Sequence, residues 1–122
     1  MSGERGSVSV LLAAGILVVL VLTMGVADLG RVLVARSHAR TAADAAALAA
    51  ADELALPTGA DPASIAGRYA SINGATLVSC LCAAGTFEAT VDVRVSTGEL
   101  LLFPGSRNVD ARARAVVDLP AG

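Results

Sequence analysis

The chain has 122 residues with nine arginines, no lysine, eleven acidic side chains, a net charge of −2 and only three aromatic residues, Tyr69, Phe87 and Phe103. That balance excludes a protein built to neutralise a phosphate backbone, and so few rings exclude a base-stacking platform. The apolar fraction of 55%, with 26 alanines, excludes an intrinsically disordered chain.

Residues 1–7 read as a short leader. From Val8 to Ala27 the sequence is VSVLLAAGILVVLVLTMGVA, with no charge and with Ser9 and Thr23 as its only polar side chains. A hydrocarbon core of ~30 Å takes ~20 helical residues to cross, and backbone groups in lipid must be satisfied within the segment. Residues 8–27 are therefore expected to be a transmembrane helix. Two other readings compete. A secretory signal could end at Gly25-Val26-Ala27, although this apolar run is longer than the usual ~7–15 residues. A buried core helix would not be apolar on every side in so small a protein.

The helix is expected to continue beyond the membrane as residues 28–56. Asp28 to Leu56 holds no proline and one glycine, Gly30, and Ala42–Ala51 has high helix propensity. The first strong stop is Pro57-Thr58-Gly59. A helix from about Ser7 to Ala55 would be ~73 Å long, with ~40 Å outside the bilayer. Asp28 with Arg31, and Arg40 with Asp44, share helix faces as weak ion pairs or as a solvated surface. The alanine tract suggests close approach of another backbone, since methyl side chains allow tight packing.

Residues 57–122 form the remaining head. Asp61 is an N-cap candidate, Pro62 suits a first helical position, and Gly74 suits a left-handed C-cap, which bounds a helix over about 62–73. Its apolar stripe is Ile65, Tyr69 and Ile72. The period then changes to two. Strands are expected at about 75–82, 86–96 and 108–118, the first two joined by a turn at Ala83-Ala84-Gly85. Pairing Asp92 with Arg112 puts Arg94 opposite Asp110, and both cross-strand pairs are then of opposite sign. Pairing about the turn puts Leu77 and Leu81 opposite Val91 and Phe87, with Cys80 and Cys82 on the other face. The segment Glu99–Pro104 either tucks Leu101 and Phe103 over the core or presents an apolar tip to a partner or the membrane surface.

Cys80 and Cys82 leave the redox state open. Residues two apart on a strand are ~6.5–7 Å apart. A disulfide needs Cα atoms within about 4.4–6.8 Å, so an internal bridge is expected to be strained. Intermolecular pairing or free thiols are alternatives. A metal site from these two and the lone His38 lacks a fourth ligand. No catalytic motif occurs, and one histidine supports little acid–base chemistry. No enzyme, cofactor, metal, nucleic acid or small-molecule substrate is expected.

The run Asp28-Leu29-Gly30-Arg31, followed by Thr41-Ala42-Ala43-Asp44 and the alanines to Ala51, resembles the TadE/TadG-like group. Those are pilus-assembly proteins of the tight-adherence (Flp pilus) secretion system. Asn73–Cys80 and the alternating strands resemble the short TadE-like form of high-GC bacteria. The resemblance implies an α+β, pilin-like architecture: a long helix, half in the membrane, packed beneath a small sheet. It marks Asp28, Gly30, Arg31 and Asp44 as family-motif positions. It implies a single-pass minor pseudopilin or assembly component with an extracytoplasmic head, whose partners are pilins, minor pseudopilins or secretion platform proteins. One position departs from the pilin pattern. Such members carry glutamate at the fifth position after a processing glycine, and after Gly6 that position is Leu11. Two other functions compete. Arg31, Arg36 and Arg40 after the span favour a membrane-tethered regulator with a cytoplasmic head, and cleavage after Ala27 would release a secreted protein.

Overall fold

The computed structural model describes residues 2–103 and 105–120. Met1, Pro104, Ala121 and Gly122 lie outside the described residues, so the proposed leader and the end of the Glu99–Pro104 segment are only partly covered. The elements run α1 (Ser2–Ala55), α2 (Pro62–Ile72), β1 (Thr76–Leu81), β2 (Glu88–Glu99) and β3 (Ser106–Val116). The fold is α+β: a long N-terminal helix, a short helix and one antiparallel sheet in the order β1-β2-β3.

The two halves of α1 live in different surroundings. Along Val8–Val26 the large apolar side chains are exposed on every side. From Ala35 onward a stripe of alanines at positions 35, 39, 42, 43, 46, 47, 50 and 51 is buried, ending in Leu54. Spacings of three and four place these methyls along one side of the helix. Helix α2 and strands β2 and β3 pack against this half. The alanines thus let α1 approach its own head closely. They are covered within the chain by α2 and the sheet, which is the close approach of another backbone that the tract suggests, and they offer no face to a helix of another chain.

Helix α2 starts where Asp61 accepts from the Ser64 backbone N–H at 3.2 Å, with Pro62 in the first turn. It ends as Gly74 takes φ +79°, with Gly74 N–H donating to Ser71 and Ala75 N–H to Ala70. This is the left-handed Schellman cap that glycine favours. The buried face is Ala66 and Ala70, while Tyr69 and Ile72 are exposed. The expected Ile65/Tyr69/Ile72 stripe is therefore turned away by about one residue, or ~100°. Two helices meeting through methyl groups leave no room for large side chains between them.

The sheet buries one face on α1. Val91 and Val93 of β2 are its largest fully buried side chains, joined by Ala89, Val95 and Ala113. The β2–β3 register pairs Asp92 with Arg112 and Arg94 with Asp110, as the charge pattern predicts. Both pairs are bidentate at 2.7–3.1 Å, and Arg114 reaches Glu88 diagonally in a third pair. The β1–β2 register differs from expectation. It slips between Leu77 and Ser79, so Leu77 pairs with Val93 but Cys80 pairs with Val91. One extra residue in a strand moves everything beyond it to the opposite face. Cys80 and Cys82 consequently pack toward the core, and Leu81 is exposed.

Candidate functional site

The first charged residue after the apolar run is Asp28, and only 4% of its surface is exposed. What covers it is the β2–β3 connection, more than 70 residues later in the chain. The Asp28 carboxylate accepts from the backbone N–H of Leu101 at 2.6 Å and of Leu102 at 2.8 Å. Burial opposes the charge of Asp28. The two N–H donors and the nearby Arg31 guanidinium outweigh it, holding the carboxyl below its ordinary value. Arg31 does not bond to Asp28. Its Nη1 donates to the Glu99 carbonyl, so one turn of α1 grips both the entry and the apex of the same loop.

The end of β2 is shaped for this contact. Its ladder slips between Ser96 and Glu99, with Gly98 at φ +74°. The Gly98 N–H donates to Ser96 Oγ at 3.2 Å, and Arg107 N–H donates to Thr97 Oγ1 at 3.1 Å. This glycine bulge redirects the chain toward α1. Leu102 then sits against Gly25, where its Cδ1 lies 3.5 Å from the place a Cβ would occupy. Leu101, Leu102 and Phe103 are 53%, 38% and 54% exposed. The loop is an apolar tip fixed to α1, and it does not fold over the head's core.

The other positions that the resemblance marks, Gly30 and Asp44, are placed differently. Gly30 faces open space, in a shallow groove between α1 and the end of β2 that also includes His38, Val95 and Thr97. Asp44 pairs with Arg40 at 3.7 Å on an exposed helix face. His38 lies on α1 along that groove, whereas Cys80 and Cys82 lie at the far end of β1. The two cysteines are joined to each other as a disulfide, with Cα atoms 5.5 Å apart. This is inside the favourable range, not at its limit. The strand ends at Leu81, so Cys82 leaves the extended geometry that the ~6.5–7 Å separation assumed.

Sequence reasoning missed a second buried carboxylate. Glu53, near the end of α1, accepts from Thr58 N–H at 2.8 Å, from the Thr58 hydroxyl, and from Ala60 N–H at 3.1 Å. These bonds, the Thr58 N–H first, hold its carboxyl below the ordinary value and close the turn into α2.

Residues 6–53 match the Tad family model, described as Flp pilus-assembly TadE/G-like. Over that segment the long helix is similar to the TadE/G-like Flp pilus-assembly proteins. The match spans nearly all of α1 and stops before α2 and the sheet. No curated protein and no solved structure matches the chain. The matched segment thus contains both the exposed apolar half of the helix and the Asp28–Arg31 clamp. The loop held by that clamp lies outside the match.

Proposed function

We propose that the chain is a membrane-anchored, TadE-like minor pseudopilin or assembly component of a Flp/Tad-type pilus or secretion apparatus, and that it acts by packing and not by chemistry. The supporting observation is the coincidence of the family match with α1. Its first half exposes apolar side chains on all sides and its second half is consumed by its own head. Residues 8–27 are read as the span, 28–56 as its extension and 57–122 as the head. Because the alanine face is covered, partners meet the span and the outer surface of the head. They are pilins, other minor pseudopilins or platform proteins. Leu11 in place of a glutamate favours a retained anchor.

In this proposal the head lies outside the cytoplasm. The Cys80–Cys82 disulfide supports this, since such bonds persist in oxidising compartments. The arginines after the span favour the opposite orientation, that of a cytoplasmic regulator. A secreted product cut after Ala27 would separate Gly25 from Asp28, both of which contact the same loop.

Photo-crosslinking from single positions in the span, such as Leu12 or Val19, tests the partner assignment in cells that assemble the pilus. Capture of pilin or platform subunits is expected. Loss of the chain with no effect on pilus assembly would overturn the reading. C-terminal reporter fusions test orientation separately: activity of an exported reporter is expected, and activity of a cytoplasmic one would favour the regulator.

A further inference from the structure

We propose that the β2–β3 tip, Leu101-Leu102-Phe103, inserts into the lipid interface beside α1 and gives the head a second point of attachment to the same bilayer. This rests on the reading of residues 8–27 as the span. Its own evidence is the level at which the tip is held. Gly25 lies two residues inside the end of the span, ~3 Å along the helix axis, and the Leu102 side chain is in van der Waals contact with that position. Asp28 and Arg31, within the first turn or so beyond the span, bind the loop backbone. The three exposed apolar side chains therefore stand where acyl chains give way to headgroups. Leu29, two residues past the end of the span, is a further exposed apolar side chain at this level of α1.

The bonding explains how an irregular segment can sit at that depth. Backbone N–H groups that enter lipid without partners carry a large penalty, and non-helical backbone is tolerated there only when other protein groups satisfy it. Here the Leu101 and Leu102 N–H groups both end on the Asp28 carboxylate, and the Glu99 carbonyl accepts from Arg31. The same bonds give the charged Asp28 and Arg31 side chains polar partners at the span's edge, where an unsolvated charge is costly. A soluble partner protein would explain an exposed apolar tip. It would not explain why the tip is tied to the level of the span.

The chain contains no tryptophan, so one introduced indole reports a single position. Full-length Phe103→Trp is placed in phosphatidylcholine nanodiscs whose acyl chains carry bromine near the headgroup or near the bilayer centre. Leu17→Trp, in the span, and Val78→Trp, exposed on β1, serve as references. Insertion at the boundary, ~5–10 Å deep as for interfacial segments, predicts that shallow bromines quench the tip indole of Phe103→Trp at least ~twofold more than deep ones. The span indole of Leu17→Trp should be quenched most by deep bromines, and the strand indole of Val78→Trp by neither. Adding Asp28→Ala should reduce the quenching of the tip indole, while the same change added to Leu17→Trp leaves the span indole as it was. If the span indole is quenched while the tip indole behaves like the strand one, the tip proposal is overturned and the span stands. If the span indole is not quenched, the span reading fails and the proposal fails with it.

Discussion

At the residue scale, two buried carboxylates act as organisers of backbone. Asp28 gathers two N–H groups of a distant loop, and Glu53 gathers those of the turn that follows it. Asp28→Ala should expose the Leu101 and Leu102 amides to hydrogen exchange, with protection falling at least ~tenfold. The Val91 and Val93 amides in the sheet should keep theirs, and equal loss at both places would show that Asp28 supports the whole head. The carboxyls of Glu53, Asp92 and Asp110 are all held below ordinary values of 4.5 for Glu and 3.8 for Asp. Thr58 N–H is the main cause for Glu53, Arg112 for Asp92 and Arg94 for Asp110. Groups depressed in the folded state contribute stability above their unfolded pKa and lose it as pH falls through the folded one. Thermal unfolding in detergent should therefore show little pH dependence from these groups between about pH 6 and 8, then a falling Tm below about 4.5. Glu53→Gln should flatten the upper part of that decline; an unchanged profile would remove Glu53 from the account.

At the scale of elements, the head depends on close approach, and volume decides which changes it tolerates. Ala46 is fully buried between α1 and the head, so Ala46→Leu should cost about 1–3 kcal/mol by overpacking. Val91→Ala, at the centre of β2, should cost about 2 kcal/mol through the cavity it leaves. Leu48→Ala, on the exposed side of α1, should stay within about 0.5 kcal/mol. Chemical denaturation in micelles measures all three; a harmless Ala46→Leu would mean that α1 and its head are not so closely packed. The elements also show where pattern reading succeeds. Strands β2 and β3 alternate cleanly, and their opposite charges select one register, so both were legible. The extent of strand β1 was legible but its register was not, because Leu77, Val78, Cys80 and Leu81 are all apolar and fit either face. The slip at Val78 is decided by which of them the α1 surface accepts. In α2 the largest apolar residues suggested the buried stripe, whereas the available space admitted only Ala66 and Ala70.

At the scale of the whole molecule, a helix of 54 residues, ~81 Å long, joins two regions stabilised by different physics. The first half is long and apolar enough to cross a membrane, where lipid would offer its backbone no partner but the helix's own groups. The head half is helical mainly because it packs. Heating the protein in micelles should therefore melt the head's helices and sheet together and leave a residual helix signal of about 20 residues from the span. Circular dichroism reads this, and complete loss of helix in one transition would contradict it. The sequence by itself determined the long apolar helix, the α+β class, the capped second helix, the β2–β3 register and the family resemblance of about residues 6–51. All but the resemblance, which rests on the motif residues themselves, follow from local periodicity, capping chemistry or charge order, which are properties of neighbouring residues. Only the tertiary structure decided that the alanine face is spent inside the chain, that Cys80 and Cys82 turn toward the core, and that Asp28 and Arg31 hold the loop at 99–102. Those depend on which surfaces meet across many residues of chain, and a meeting of that kind is set by shape and by the need to satisfy buried polar groups.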